Sequence, residues 1–340
     1  MNIFGSINKV NPLISYRSCP AAGWDALLSS CRLGCAIGYT LLLCILISCD
    51  TPVGMKEQTD TPTSGEVNIV VDESYSMLFD TEIYTFQSLY VNAHVHAKFL
   101  PENEALAALM TDSAKVAVIN RPLTAEERKA FEAKNLFPIE TKIAEDAIAF
   151  VVNNDNPDTN LTFEEMTRIL AGMDTSWKKV NKNASLDGLR IIFDNPNSSN
   201  SRYISTFSKE TKLPSNAFAV KSNPEVIDYV CEHKNALGVV SVNWISDRDD
   251  SISRGFLKKV KVIGISKAGN EEKFYKPYQA YIKTKEYSFC RDVYMINRQT
   301  RAGLGMGFVS FVAGDKGQRI ILKMGLIPAI APTRMVEISR

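Results

Sequence analysis

The sequence predicts a globular α/β protein with a largely parallel sheet and more than one compact part; its strand–helix alternation, its length and its composition support this prediction. Short apolar runs rich in β-branched residues recur along the chain and alternate with segments whose apolar residues follow helical spacing. The chain has 340 residues, which exceeds the size that a single hydrophobic core usually supports. Apolar residues make up 45% of it and charged residues 23%, as in ordinary globular proteins. Two domains, or one domain with appendages, are therefore expected.

The first half of the alternation begins with the apolar run VNIVV. Strands are predicted at Val67–Val71, at Tyr90–Phe99 and at Val116–Ile119. A helix is predicted where Phe79, Ile83 and Phe86 recur at helical spacing, and two more at Glu104–Met110 and Ala125–Lys134. Thr124 is the expected N-cap of the last one, because its hydroxyl can accept from the first turn.

The second half continues the pattern with shorter elements. Strands are predicted at Ala147–Val152, Leu189–Phe193, Leu237–Val242, Val260–Ile265 and Val293–Asn297. Helices are predicted at Leu161–Leu170 with Thr162 as a cap, from Arg202 onward, at Glu225–Cys231, and as one long C-terminal helix at Gly307–Met324.

Charge and cysteine usage narrow the functional classes. The net charge is +1, with Lys and Arg spread among similar numbers of Asp and Glu, so the basic footprint of a nucleic-acid binder is missing. Five of the seven cysteines lie in the first fifty residues, and Cys231 and Cys290 can be bridged or free. His94 and His96 share one strand face, but two imidazoles do not make a metal site. We expect no metal, no cofactor and a small ligand.

The N-terminal region has the pattern of an export signal. About fifteen uncharged residues from Leu33 to Ile47 follow Arg32, too few for a comfortable membrane span. Ser48 and Cys49 then resemble a bacterial lipobox, which predicts a lipid on the Cys49 thiol; the alternative is a short buried helix. We expect residues 1–48 to be an extension and signal peptide, and residues 49–65 a flexible tether. Residues 1–30 fit no signal-peptide pattern, so whether they are translated stays open.

Three strand ends carry side chains suited to an oxyanion. The loop before Arg202 offers Ser198, Ser199, Asn200 and Ser201, whose hydroxyl and amide groups can stand beside free backbone N–H groups. The alternative for this loop is a hydrophilic turn with an ordinary N-cap. Ser74 follows the first strand, and Asn120 and Arg121 follow the third.

These loops are expected to meet, because strand ends gather at one edge of an open α/β sheet. Arg121 is the predicted bidentate fork for two oxygens of a tetrahedral anion, and a surface arginine on a turn is its alternative. Arg121→Ala is accordingly expected to lose most anion affinity.

Other motifs give weaker signals. The glycines between Gly303 and Gly307 have the wrong spacing for a dinucleotide site. The aromatic residues Phe274, Tyr275, Tyr278 and Tyr281 are more typical of core or interface packing than of a stacking platform. No nucleophile–base pair stands out, so an enzyme, and a hydrolase in particular, is not expected.

An ordered set of stretches resembles the phosphate-binding proteins of Pst-type ABC importers, in particular their lipoprotein branch in Bacteroidetes-like bacteria. The stretches that carry this resemblance are Val118–Leu123, Ala144–Asn153 with Asn156–Pro157, Leu161 through Gly172 to Trp177, Leu237–Val240, and Gly317 through Gly325 to Pro328. The resemblance covers about Glu66 to Pro328, and its strength lies in the order of the set rather than in any one motif.

The resemblance implies a two-lobed, type II periplasmic-binding-protein-like fold with mixed and parallel sheets, flanking helices and hinge strands. Residues 66–148 with 288–335 would form lobe one, and residues 149–287 lobe two. The implied function is capture of inorganic phosphate or a similar oxyanion and delivery to ABC permease subunits, by a monomer lipid-anchored on the periplasmic side of the cell envelope. The family's phosphate contacts fall on Ser74, on the Asn120–Arg121 loop and on Ser199–Ser201.

Two departures from the family pattern leave the ligand open. Asn120 stands where phosphate binders place an aspartate that accepts the proton of phosphate and so rejects sulfate. The arginine usually found a few residues before the serine loop is also missing, with Asp194 and Asn195 nearby. Phosphate, sulfate or another oxyanion stay possible ligands, and a non-transport sensor or interaction lipoprotein with the same fold is the alternative function.

Overall fold

A ten-stranded mixed sheet and a smaller three-stranded sheet form the framework of the protein. The computed structural model describes residues 60–182, 186–208, 212–246, 251–299 and 301–332. Cys49, the signal peptide and the tether up to residue 59 lie outside the described residues, and their assignments stay predictions.

The strands are numbered in chain order. They are β1 Gly65–Asp72, β2 Ala93–Leu100, β3 Val116–Ile119, β4 Ile139–Asn153, β5 Asn160–Leu161, β6 Arg190–Phe193, β7 Ala217–Ala219, β8 Ala236–Ser241, β9 Val260–Val262, β10 Gly264–Lys267, β11 Asn270–Tyr275, β12 Cys290–Asn297 and β13 Ile327–Pro328.

The helices are numbered in the same way. They are α1 Ser76–Leu89, α2 Glu102–Met110, α3 Ala125–Glu132, α4 Phe163–Leu170, α5 Trp177–Val180, α6 Ser199–Ser205, α7 Asn223–Glu232, α8 Asn243–Ser246, α9 Ser251–Lys259, α10 Gln279–Lys283, α11 Leu304–Ala313 and α12 Asp315–Lys323. A short 3-10 turn, Glu73–Tyr75, joins β1 to α1. Among the described residues, no helix combines the length and the apolar character needed to cross a membrane.

The large sheet consists of two parallel groups joined by an antiparallel middle. Its order is β2-β1-β3-β12-β4-β8-β6-β7. β1 is parallel to β2 and β3, and β6 is parallel to β7 and β8. The two strands between these groups, β4 and β12, are antiparallel to their neighbours. The parallel pairing predicted from strand–helix alternation thus holds within each group, while the crossing strands make the sheet mixed.

The fifteen-residue strand β4 belongs to both halves of the molecule. Its first part pairs with β12 and its second part with β8 and β9. One hydrophobic cluster draws on residues 147–289 together with Ile327, and two others draw on residues 67–144 and 293–326. The two-lobed α/β fold with hinge strands is confirmed, and the exact lobe limits stay a prediction.

The cap predictions are correct in detail. The side chains of Thr124 and Thr162 each accept a hydrogen bond from the backbone N–H of the third residue of their helix, and the carboxylates of Glu127 and Glu165 accept one from the cap backbone N–H. These capping boxes depend on four consecutive residues only, which is why the sequence shows them.

The predicted single helix at Gly307–Met324 is wrong, because the chain turns between α11 and α12. Gly314 has an extended backbone and caps both helices. A Cβ on Gly317 would lie 2.5 Å from the Cα of Val312, so the two helices approach too closely for any side chain there. Tertiary packing, rather than local propensity, breaks the helix.

Smaller boundary errors have similar causes. The strand predicted from Tyr90 begins only at Ala93, and the segment Val260–Ile265 is split into β9 and β10, which pair with different strands. Helix α6 begins at Ser199 instead of Arg202, because Ser198 caps it.

Candidate functional site

Four strand ends meet where the two lobes face each other. They are the turn after β1, the Asn120 loop after β3, the loop between β6 and α6, and the start of α8 after β8. Ser74 Oγ of lobe one lies 3.5 Å from Ser199 Oγ of lobe two, and Asn243 Nδ2 donates to the Ser74 carbonyl at 3.1 Å. The structure therefore brings predicted residues from both lobes to one buried place.

A buried ion pair lies at the centre of this place. Arg291, on hinge strand β12, holds Asp146 of hinge strand β4 through Nε and Nη2, each 2.9 Å from Asp146 Oδ2. Arg291 Nη1 donates to Ser199 Oγ at 3.1 Å. Burial by itself lowers the pKa of Arg291, but the neighbouring carboxylates Asp146 and Asp72 outweigh this effect, so the pKa lies above its ordinary value. A permanently charged guanidinium thus reaches across to lobe two.

Further donors surround the Asp146 carboxylate. The Tyr75 hydroxyl donates to Asp146 Oδ2 at 2.9 Å, and Ser241 Oγ lies 3.0 Å from the same oxygen. Burial raises the pKa of Tyr75 well above its ordinary value, so it remains a hydroxyl. With both partners hydrogen-bonded, the pair meets the condition under which a buried ion pair is tolerated.

Asn120 links this centre to Asp72. The donors around it orient its amide so that the oxygen accepts from Arg291 Nε at 2.6 Å, while its nitrogen donates to Asp72 Oδ2 at 3.1 Å. The opposite orientation would place an NH₂ group against the guanidinium. Asp72 Oδ1 also accepts from the Ser74 backbone N–H at 2.9 Å.

A second carboxylate organises the serine loop in lobe two. Asp194 accepts from Ser198 Oγ at 2.6 Å, from Asn200 Nδ2 at 3.2 Å and from Asn223 Nδ2 at 3.1 Å. Ser198 Oγ in turn accepts from the Ser201 backbone N–H. Burial raises the pKa of Asp194 to about 6, against the lowering effect of the Ser198 hydrogen bond.

Two amide oxygens beside these groups have no donor. Asn200 Oδ1 and Asn243 Oδ1 are buried and accept no hydrogen bond from any described residue. A buried polar atom without a partner usually marks a place that a ligand or water completes. Glu73, half-buried beside Asp72 and Asp194, has its pKa raised to about 7, chiefly by burial and then by those carboxylates.

Arg121 has a different surrounding from the one predicted. Its guanidinium binds Glu127 in a fork, with Nη1 at 2.7 Å and Nη2 at 2.8 Å, and its Nε lies 3.1 Å from Glu102 Oε1. Glu102 also accepts from Arg202 of lobe two at 3.1 Å. Arg121 therefore belongs to an interlobe ion-pair cluster, and its role as an anion fork stays a prediction.

Sequence reasoning missed much of the centre, in particular Tyr75, Asp146, Ser241, Asn243 and Arg291. Signals existed for two of them. Asp146 interrupts the apolar run of β4, and Arg291 precedes the apolar run of β12. A charge within a buried strand needs a partner, and that requirement was available from the sequence.

The other motifs noted in the sequence can also be located in the structure. His94 and His96 are exposed on β2, as predicted, and the described residues hold no cluster of metal-ligating side chains. Within the part of the chain that the structure describes, Cys231 and Cys290 are free thiols and are not bridged to each other. A Cβ on Gly307 would collide with the Pro62 backbone, so this glycine serves a close packing contact.

Known proteins match this chain over most of its length. A family model described as a PBP superfamily domain matches residues 56–316. The chain belongs to the PBP superfamily. The resemblance to phosphate-binding proteins seen in the sequence is thereby confirmed at the level of the family.

Several relatives of this chain carry the name phosphate-binding protein PstS. The one from Staphylococcus epidermidis is 27% identical over 206 residues, which cover 58% of this chain and 59% of that protein. The one from Borreliella burgdorferi is 22% identical over 272 residues, which cover 77% of this chain and 89% of that protein. The chain thus spans about three fifths of the staphylococcal relative and most of the spirochaetal one.

A solved structure from Clostridium perfringens, named for a phosphate ABC transporter substrate-binding protein, contains bound phosphate. It superposes on 78% of this chain and 100% of its own with a TM-score of 0.64. The sequence identity is 19%, so this likeness establishes the shared two-lobed fold.

Proposed function

We propose that the protein is the substrate-binding component of an ABC importer and that it captures inorganic phosphate between its lobes. The observation that carries the proposal is the buried Arg291, which belongs to hinge strand β12 and donates to Ser199 of the serine loop. The chain's superfamily and the phosphate-binding relatives support the same ligand class.

The site has the chemistry that a tetrahedral oxyanion needs. Arg291 supplies a rigid fork, and charge-assisted hydrogen bonds from a guanidinium are about twice as strong as neutral ones. Ser74 and Ser199 bring one hydroxyl from each lobe, so an anion bound to both would hold the lobes together. This coupling of binding to closure is how a two-lobed receptor presents loaded and empty states to a permease.

We assign the anion's guanidinium contact to Arg291 rather than to Arg121. Arg121 already satisfies Glu102 and Glu127, and withdrawing it would leave the buried Glu102 carboxylate with Arg202 alone. Ser74, Asn120, Ser198, Ser199, Asn200 and Ser201 remain the proposed contacts from the strand-end loops.

The envelope location forms part of the proposal. Cys49 would carry the lipid anchor on the periplasmic side, and the monomer would meet the permease subunits in the membrane. Two or more acyl chains give stable anchoring, because each buried methylene contributes about 0.8 kcal/mol. Metabolic labelling with an alkyne fatty acid is expected to mark the wild-type protein and not Cys49→Ser.

Isothermal titration tests the binding function. The full chain carrying Cys49→Ser is titrated with phosphate and, separately, with sulfate. A micromolar dissociation constant for phosphate, equivalent to about −8 kcal/mol, is the expected result. No heat with either anion would exclude the proposed function, and tighter binding of sulfate would transfer it to another oxyanion.

A further inference from the structure

The base of lobe one is the end of its sheet that lies opposite the cleft. β1 begins there at Gly65, paired with Ala93 of β2, and ends at Asp72 beside the cleft. Its eight residues place these two ends about 25 Å apart. β3 and β4 also begin at the base and β12 ends there, because Asn297 pairs with the first residue of each of them. The segments that form the base are 60–65, 89–93, 112–116, 137–139, 297–299 and 301–304.

Several large apolar side chains are exposed at the base. They are Leu89, Tyr90, Val91, Phe137 and Ile139, and among them Val91 is 77% exposed and Phe137 70%. The first three lie beside the edge strand β2 and the other two beside β4, four strand spacings or about 19 Å away. Single exposed apolar side chains are ordinary, but several across one end of a domain mark a surface that contacts a partner or a membrane.

The charged groups between these side chains are largely paired. Lys115 Nζ lies 2.7 Å from Asp112 Oδ1, and Arg301 Nη2 lies 3.5 Å from Asp60 Oδ2. Arg298 also reaches Asp112, at 3.4 Å. These pairs leave little net charge among the described residues of the base. Apolar contact with a surface of low net charge therefore suits the base better than attraction to a highly charged partner.

The described chain enters the molecule at this same end. Asp60 Oδ1 accepts from the Leu304 backbone N–H at 2.7 Å, and the Gly65 backbone N–H donates to the Asn92 carbonyl at 2.9 Å, beside the exposed turn. Cys49, the proposed lipid site, precedes Asp60 by eleven residues, which span at most about 40 Å even when fully extended. A lipid on Cys49 would thus hold the base within that distance of the bilayer.

We propose that the base of lobe one is a membrane-contact surface, with the Leu89–Val91 turn and Phe137 lying in the interfacial layer of the lipid bilayer. The inference rests on the lipid anchor of the proposed function and adds the orientation of the protein on the membrane. Aromatic side chains with one polar end, such as Tyr90, are favoured at this layer because it is apolar on one side and wet on the other. In this orientation the phosphate site lies about 25 Å above the lipid and faces the medium from which phosphate arrives.

The position of the base favours lipid over two other occupants. A permease takes the anion from the cleft, so its docking surface is expected beside the cleft and not at the opposite end of β1. A second copy of this chain would cover the base only in a concentration-dependent manner, whereas the anchor keeps the bilayer within reach of every molecule.

A dye at Val91 tests the contact. Val91→Cys is introduced into the full, lipid-anchored chain carrying Cys231→Ser, labelled with an environment-sensitive nitrobenzoxadiazole dye and reconstituted in phosphatidylcholine vesicles. Cys290 is expected to react slowly because burial raises the pKa of its thiol to about 12, and the signal of the labelled Cys231→Ser parent is subtracted. We expect the emission to shift to shorter wavelength and to be quenched by lipids that carry a nitroxide near the headgroup. The same dye at Phe218→Cys in lobe two, where Phe218 is 48% exposed, should show neither effect.

A matched pair of substitutions tests whether the whole base takes part. Phe137→Ser removes an exposed side chain about 19 Å from the dye, too far to change its surroundings directly. We expect it to lower the ratio of membrane-contacting to free protein about fivefold, because one apolar side chain no longer leaves water on contact. Phe218→Ser should leave the ratio unchanged. Circular dichroism checks that both variants are folded.

The other outcomes separate the inference from the proposed function. A dye at Val91 that stays in water while the alkyne fatty acid marks Cys49 would overturn the membrane contact and leave the anchor intact. Absence of both the fatty-acid label and the spectral shift would remove the anchor together with the contact, whatever the phosphate titration shows. A shift that disappears when protein is diluted at constant lipid concentration would assign the base to a second copy of the chain and overturn the inference.

Discussion

Replacing Arg291 by Met tests the centre of the site directly. The side chains of Arg291 and Asp146 are 4% and 0% exposed, so the substitution leaves an ionised carboxylate buried without its countercharge. Breaking a buried pair in this way costs about 3–5 kcal/mol of unfolding free energy. Tyr75 and Ser241 still donate to Asp146, which places the expected loss near the lower end, about 3 kcal/mol.

The effect on binding is expected to be separate and large. An anion would lose the charge-assisted hydrogen bonds of the guanidinium, each contributing about 1.5–3 kcal/mol. Losing two of the weaker ones corresponds to about 3 kcal/mol, a weakening of roughly a hundredfold or more in the phosphate dissociation constant. Urea unfolding gives the stability and isothermal titration the affinity.

Control variants make the result decisive. Arg128→Met breaks an ion pair with Glu140 in which the arginine side chain is 48% exposed, and should change neither quantity appreciably. Asp146→Asn combined with Arg291→Met should recover part of the lost stability, because the orphaned charge is removed as well. Arg121→Met distinguishes the two assignments of the anion fork. Wild-type affinity in Arg291→Met, together with a large loss of affinity in Arg121→Met, would refute the assignment of the anion fork to Arg291.

Three further changes test other parts of the structure. Glu82 is buried, and neither of its carboxylate oxygens has a hydrogen-bond partner among the described residues. Burial raises its pKa from 4.5 to about 9. The folded state therefore holds a proton that the unfolded state releases, and the free energy of unfolding falls as pH rises between these two values. The Glu82→Gln substitution should raise the free energy of unfolding by about 3 kcal/mol at pH 7 and by almost nothing below pH 4.5. Equal increases at the two pH values, measured by urea unfolding, would contradict this expectation. Arg202→Met removes the interlobe ion pair with Glu102, in which the arginine side chain is 31% exposed. The rate of phosphate release, measured by stopped flow, should rise about fivefold. An unchanged release rate would show that the pair does not hold the lobes closed. Asn120→Asp places a second carboxylate against Asp72, so phosphate affinity should drop about tenfold near pH 8 and recover toward pH 6. Higher affinity than wild type at both pH values would show that the family's aspartate functions in this cleft.

Local features of the fold were predictable from the sequence. The capping boxes at Thr124 and Thr162 and the buried strand Val116–Ile119 depend on a few neighbouring residues, and each lies where it was predicted. The break between α11 and α12 was not predictable in this way. Gly314 and Gly317 have helical neighbours on both sides, and only the close approach of Gly317 to Val312 requires a turn.

The candidate site also has some features that were predictable from local sequence and others that were not. The sequence by itself determined which loops carry hydroxyl and amide groups, because strand ends and turn residues are local patterns, and it placed Ser74, Asn120 and Ser199 among the candidates. Only the tertiary structure decided which arginine lies among them. Arg291 and Asp146 are 145 residues apart, and they meet because two hinge strands pair antiparallel in the middle of the sheet. Arg121, adjacent in sequence to Asn120, is drawn instead to Glu102 and Glu127. A charge takes the partner that packing brings within reach, and sequence proximity does not show which partner that is.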